Sequence, residues 1–290
     1  MDQIINLGAL ERPKDDRDLL LGSVAAPVEI PATFLPDNTW LQRNFQGQTP
    51  YCGPHALSHL KAILERNENP LSVPRLTPRY LWIRVKQIDG QPLEAGTDMR
   101  SLFKVLQQWG ADDYEPLENP VTFPIEEYSS LTAVTPGMDT NAAPKKIQSY
   151  AFDALDFISV QQLIYKFKAV LLLIKCDSGF WGTATPTFTT TPYTHFICAD
   201  GYDENNLRII DSAEPNEAFA VKMVHKQYIT PTFVKESGTA IDAAQAEAIQ
   251  SAIVSDATAV VQDVAQDTQT PAPVKETILE EIEEVIEALV

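Results

Sequence analysis

Between Gln46 and Leu57 the chain reads Gln-Gly-Gln-Thr-Pro-Tyr-Cys-Gly-Pro-His-Ala-Leu, a loop running into a helix with a lone cysteine at the junction. Ala56, Leu60, Ile63 and Leu64 have helical spacing, which predicts an amphipathic helix from about Pro54 to Glu65. Pro54 falls in the first turn, where its missing N–H costs nothing. Cys52 then stands at a helix N-terminus. There the unpaired N–H groups and the macrodipole favour an anion, and they lower a thiol's pKa toward the reactive thiolate. Gln46, six residues upstream, can fold back beside the sulfur and offer its amide N–H to a developing oxyanion.

A thiolate nucleophile needs a base to take its proton and a group to orient that base. Four histidines are available. His55 and His59 lie on the helix of Cys52 itself, with side chains along its surface rather than across a cleft, and read as core or surface residues. His225 ends a strand beside Lys222 and Lys226 and reads as solvated. His195 opens a strand after a long loop, a good position for presenting a ring across a cleft. Asp211 follows sixteen residues later, at the end of the next strand and before Ser212. Antiparallel pairing through the turn Asp203-Glu204-Asn205-Asn206 makes His195 and Asp211 cross-strand neighbours, so the carboxylate can hold the imidazole N–H. Cys176 and Cys198 lie in apolar strands and read as inert core thiols. A zinc site built from Cys52, His55 and His59 lacks a second ligand pair at metal spacing, so no metal or other cofactor is expected.

Gln46-Gly47 six positions before Cys52, His195-Phe-Ile-Cys-Ala-Asp-Gly201-Tyr202, and the later Asp211-Ser212 together resemble the papain-like cysteine peptidases. The order Gln, Cys, His, Asp on a helix-first, strand-second chain matches that superfamily. Two departures stand out. Plant and lysosomal members carry Trp after the nucleophile, where this chain has Gly53-Pro54. In papain itself the orienting residue is Asn, where this chain has Asp211, as the relatives named next do. The Tyr-Cys-Gly-Pro wording is closer to bacteriocin-processing peptidases and phytochelatin synthases. The resemblance covers about residues 15–230. It implies an α+β, two-lobe fold, with a helical N-terminal lobe carrying the nucleophile helix and an antiparallel β C-terminal lobe. It also implies catalytic roles for Cys52, His195 and Asp211, with Gln46 and the Cys52 N–H as oxyanion donors. The loop Glu94-Ala95-Gly96 resembles the family's glycine loop, whose backbone pairs with substrate, which makes Gly96 a candidate substrate-binding residue. In the 177–194 loop, Trp181, with Phe180 and Tyr193, either walls an apolar subsite or packs the loop. The implied activity is hydrolysis of protein or peptide substrates. An acyl or peptidyl transferase or an amidase on the same scaffold is an alternative, as is a non-catalytic adaptor working through its tail.

The chain divides accordingly into an extended N-terminal arm (1–45), a catalytic domain (46–230, with lobes of about 46–143 and 144–230) and an acidic tail (231–290). Thr77-Pro78 and Thr97-Asp98 open two further helices, the second stopped by Gly110. Residues 111–143 are expected to wrap the surface. After them come a short helix from Ser159 and strands at 169–175, 195–201, 207–211 and 218–224. A hydrophobic content of 44% supports a core in a chain of 290 residues. The net charge of −18 argues against nucleic acid or an anionic membrane as partner. The tail carries twelve acids against Lys235 and Lys275. Its Ile278, Ile282, Val285 and Leu289 have coiled-coil-like spacing, so 275–290 is either a disordered acidic end or a segment that docks on a partner or on itself. Three cysteines suit a reducing compartment. The N-terminus lacks the features of a secretory signal, and no run of 18 apolar residues occurs. The expected location is the cytoplasm, or the inside of a virus-like particle.

Overall fold

The computed structural model describes residues 8–12, 15, 29–47, 49–113, 124–153, 156–266 and 271–289. Most of the charged cluster at 12–18, residues 114–123 of the proline-rich stretch and residues 268–270 of the 268–274 linker lie outside the described residues.

Strand β1 (Ala9–Leu10) comes first, from the N-terminal arm. Helix α1 (Cys52–Glu68) begins two residues before the expected start, so Cys52 is itself the first helical residue. The helix is not amphipathic. Every residue from Cys52 to Leu64 is buried, because α1 lies between the other helices and the sheet. Its polar residues are accommodated locally. Asn44 donates its backbone N–H to His59 Nε2 (3.0 Å) and accepts from His55 Nδ1 at its carbonyl (2.9 Å), while its amide reaches Ser58 Oγ (3.1 Å). Helix α2 (Pro78–Ile88) and strand β2 (Thr97–Asp98) follow, then α3 (Met99–Gln108). The Asp98 side chain caps α3 by accepting from the Ser101 N–H at 3.0 Å. Gly110, at φ +85°, ends it in a conformation that strains any residue with a Cβ. Short helices α4 (Ile125–Tyr128) and α5 (Pro136–Ala142) sit in the stretch expected to wrap the surface. Part of that stretch is interior instead. Tyr128 stacks on Tyr51 with ring centroids 4.8 Å apart, and Tyr51 leans on Trp82 at 4.1 Å. This aromatic cluster fixes the residue immediately before Cys52.

The second half builds one antiparallel sheet. Its elements are β3 (Ser149–Asp153), helix α6 (Phe157–Phe167), β4 (Val170–Cys176), β5 (Tyr193–Tyr202), β6 (Asn206–Ile210), β7 (Val221–His225) and β8 (Val234–Ile241). The strand order is β3-β8-β4-β5-β6-β7. Alternation sends Leu171, Leu173, Phe196 and Cys198 to a core shared with α1 and α3. Val170, Leu172, Ile197 and Ala199 go to a second core under α6. The mixed helical and antiparallel architecture is the α+β, two-lobe arrangement the resemblance implies.

The boundary at 230/231 needs correction. Residues 234–241 are not tail: β8 pairs with both β3 and β4 in the middle of the sheet. The segment Val-Lys-Glu-Ser-Gly-Thr-Ala-Ile has too few apolar side chains to announce a buried strand, yet Glu236, Ser237 and Thr239 are all buried. Beyond it, helix α7 (Ala243–Gln266) lays Ala246 and Ile249 against the second core, and α8 (Ala272–Leu289) folds back on α7.

Burial lowers the imidazoles of both His55 and His59 to about 3, so each is neutral in the fold. Unfolding lets both titrate at their ordinary value of about 6.5. Their contribution to stability is therefore complete above pH 6.5 and is lost as the pH falls toward 3, at up to about 1.4 kcal/mol per pH unit for each histidine. His59→Gln keeps an acceptor for the Asn44 N–H but cannot take a proton. Urea unfolding at pH 7, 5.5 and 4 is expected to show a shallower loss for this variant than for the parent; identical losses would mean that His59 does not drive the acid sensitivity.

Candidate active site

The geometry is organised by the turn that follows β6. In the β5–β6 register Cys198 faces Ile210. Extending it by one residue sets Asp211 across from Ile197, so His195 is its diagonal neighbour on the same face. The diagonal is closed by a hydrogen bond of 2.8 Å between His195 Nε2 and Asp211 Oδ1. That oxygen also accepts from the Ala213 N–H at 2.9 Å. Lys222 Nζ lies 3.0 Å from Asp211 Oδ2, an ion-pair contact rather than an aligned hydrogen bond. Burial alone would raise the Asp211 carboxyl, but His195 and Lys222 beside it hold it well below the usual carboxylate range. An ionised Asp211 accepts only, which assigns the imidazole proton to Nε2 and leaves Nδ1 with the lone pair. His195 Nδ1 is buried and has no hydrogen-bond partner among the described residues.

Cys52 lies beside the backbone of the next residue along β5. The amide N–H groups of Phe196 and Gly53 favour its thiolate. Burial opposes them and is larger, and the charge of Asp211 adds to it, so the thiol is pushed up to about 12. The lowered pKa expected from the helix N-terminus is therefore reversed in this arrangement. Desolvation outweighs a dipole that acts through a few N–H groups. The chain's own arm packs into the same core as Cys52. Strand β1 pairs in parallel with β2, the Thr97 N–H donating to the Gly8 carbonyl at 2.9 Å. Ala9 is buried in the same cluster as Cys52 and Phe196.

Gln46 is fully buried and tied to the same turn. Its backbone N–H donates to the Ser212 carbonyl (2.9 Å), its side-chain oxygen accepts from Ser212 Oγ (2.7 Å), and its amide nitrogen donates to the Thr49 carbonyl (2.9 Å). One amide N–H of Gln46 is thus spent on Thr49, and one remains. Gly96 lies where the arm crosses: a Cβ there would overlap the Gly8 carbonyl. The backbone edge assigned to substrate is occupied by residues 8–10. Trp181 is half-buried and rests on the imidazole of His195 (centroids 6.1 Å apart) and on Phe180 and Tyr193. It therefore packs the loop against the histidine. Cys176 and Cys198 are buried, and burial pushes both thiols up. Among the described residues no group of three or more His, Cys, Asp or Glu could hold a metal ion.

Two residues at the site escaped the sequence reading. Lys222 was grouped with the solvated surroundings of His225, and Glu214 was not singled out. Both are fully buried, with Lys222 Nζ 2.8 Å from Glu214 Oε2. Alternation in the expected strand 218–224 gives no signal for Lys222: it sets Phe219, Val221 and Met223 against Ala220, Lys222 and Val224, so the more apolar face is the one that Lys222 does not share.

No family model matches the chain, and no curated protein matches it in sequence. Its fold does match solved structures. Xylellain, a cysteine protease from Xylella fastidiosa, superposes with a TM-score of 0.67 at 18% identity, covering 82% of this chain and 96% of that one. The cysteine protease and lectin-like domains of Cwp84 from Clostridium difficile give 0.60 at 14% identity over 82% of this chain and 56% of theirs. Procathepsin L 3 from the larval midgut of Tenebrio molitor gives 0.55 at 13% identity over 82% and 76%. The chain has the papain-like cysteine peptidase fold. Among the described residues no helix is long and apolar enough to cross a membrane.

Gly96→Ala tests the cover over the sulfur. The added methyl is expected to displace β1 and speed alkylation of Cys52 by iodoacetamide severalfold, with a new proteolytic cut near residues 8–12. An unchanged alkylation rate would show that the arm does not limit access.

Proposed function

We propose that this chain is a cysteine peptidase. The observation that carries the reading is the polarity of the His195 ring: Nε2 is held by Asp211 at 2.8 Å, while Nδ1 is buried with no hydrogen-bond partner among the described residues, beside the strand whose next amide touches Cys52. That is the arrangement a histidine needs to take a thiol proton and return it to a leaving group.

In this reading Cys52 passes its proton to His195 Nδ1 and attacks the substrate carbonyl carbon. The negative charge that develops on the carbonyl oxygen is received by the Cys52 backbone N–H and the remaining amide N–H of Gln46. The imidazolium then gives its proton to the departing amine as the C–N bond breaks. Water, deprotonated by His195, releases the acid and restores the thiol. Asp211 keeps the ring oriented throughout and stabilises its protonated form. The substrate is a protein or peptide strand that takes the backbone edge at Thr97, so residues 8–10 must leave before it binds. The low thiol reactivity of the covered form follows from burial, and departure of the arm readmits water and restores the influence of the helix N-terminus.

Cys52→Ala is expected to abolish both peptide hydrolysis and labelling by an epoxide probe, a loss of several orders of magnitude in rate. The measurement is hydrolysis of a fluorogenic peptide library by the chain lacking residues 1–12, with adducts mapped by mass spectrometry. Labelling that survives the substitution would remove Cys52 from the mechanism.

A further inference from the structure

The Lys222 ammonium is unusual in its surroundings. It is fully buried, and its contacts are Asp211 Oδ2 at 3.0 Å, Glu214 Oε2 at 2.8 Å and the Phe180 carbonyl at 2.6 Å. It also lies 4.5 Å from the centroid of the Phe180 ring. Two acceptors and one ion-pair partner surround the three N–H groups of the ammonium. Glu214 continues the connection. Its Oε2 accepts from the Gly182 N–H at 2.8 Å and its Oε1 from the Asn216 N–H at 3.0 Å. The segment between Phe180 and Gly182 is thereby tied at both ends to one buried ion pair. Phe180 and Trp181 are the rings that rest on His195, with centroids 6.2 and 6.1 Å from the imidazole. One cation therefore reaches the imidazole along two routes, through its carboxylate and through its aromatic cover.

We propose that Lys222, with Glu214, is a positioning residue for His195: it offsets the charge of Asp211 and clamps the Phe180–Gly182 segment over the ring. The proposal rests on the peptidase reading for its consequence, not for its geometry. A lone buried aspartate beside an imidazole would hold the protonated ring tightly and oppose return of the proton. An aspartate shared with an ammonium is closer to a neutral hydrogen-bond acceptor. This gives a physical role to the departure noted in the sequence, where Asp stands in place of the Asn of papain itself. Here the side chain is anionic, and a lysine from β7 supplies the compensation.

The other charged and titratable groups around the cluster are few. Cys52 approaches from α1, and Cys176 and Asp177 from the end of β4. From the arm, Arg43 donates to the backbone carbonyls of Glu214 and, at 3.5 Å, Asp211, and pairs with Glu217 at 2.7 Å. None of these contacts the Lys222 ammonium in the way the two carboxylates do.

The test is a titration of the His195 ring by NMR in the full chain carrying Cys52→Ala, which removes the coupled thiol. His195→Gln identifies the signal among the four histidines. Lys222→Met is expected to move the midpoint up by about one pH unit or more, the size of effect a charge at this distance produces. Glu214→Gln is expected to move it down, and Lys222→Arg to restore the parent value. In the Cys52-containing chain, Trp181 fluorescence should report a loosened segment for Lys222→Met and a retained one for Lys222→Arg. Midpoints that coincide in all variants, even with a lowered melting temperature for Lys222→Met, would reduce Lys222 to a structural ion pair and overturn the proposal. If Lys222→Met does not fold, Glu214→Gln decides alone, since a purely structural pair predicts no downward shift. Failure of Cys52 to alkylate in the arm-deleted chain would sink the peptidase reading instead, while the titration would still read the coupling.

Discussion

The Asp211 carboxylate is shared by an imidazole, an ammonium and a backbone amide, and three separate parts of the chain take their places from it. The β5–β6 pairing delivers His195 to one oxygen. β7 delivers Lys222 to the other. The turn after Asp211 receives Gln46 through Ser212, which in turn sets the loop six residues ahead of Cys52. Without a charged side chain at this position, the buried lysine would lose one of its two anionic partners, and removing one side of a buried ion pair is strongly destabilising. The site and the stability of the second lobe are therefore the same set of contacts.

The sulfur illustrates a contest between two physical effects. A helix start and two or three amide N–H groups favour the anion. Complete burial disfavours it more strongly. Which one prevails depends on solvent, and a two-residue strand from the chain's own N-terminal arm packs into the same core as the thiol. The arm is anchored at a second point. The Arg12 N–H and guanidinium meet Glu236, whose carboxyl burial raises to about 7, and the guanidinium also sits 3.8 Å from the centre of the Phe152 ring. The cover is thus built from specific contacts and not from general crowding.

Much of this could be read from the residues. Helix α2 announced itself through Pro78 in its first turn, although the Thr77 side chain expected to cap it makes no cap hydrogen bond, and α3 through Asp98 and Gly110, whose capping chemistry is local. Strand 170–176 showed as a continuous apolar run, and 193–202 and 206–210 as strands joined by the turn at 203–206. The diagonal of His195 and Asp211 followed from one turn and a period of two. What stayed hidden was whatever depends on partners far along the chain. The all-round burial of α1 needs Asn44 to satisfy two histidines and a serine. The interior strand β8 keeps Glu236 and Thr239 inside only because Arg12 and the Ala169 carbonyl meet them. Lys222 looks like any surface lysine until two carboxylates are seen to close on it. Buried polar groups carry no hydrophobic signature, and their partners are set by topology.

The place of β8 has a consequence for how the chain reaches its native state. It inserts between β3 and β4, strands separated from it by some sixty to eighty residues of sequence. Until it arrives, two sheet edges stay open in the half-made protein, each a template for pairing with another molecule. Closing them requires long-range contacts of the kind that slow folding. During synthesis the β3–β8–β4 part of the sheet must wait for residue 241 to clear the ribosome, and helices α7 and α8 emerge only after a strand that the rest of the sheet has been kept waiting for.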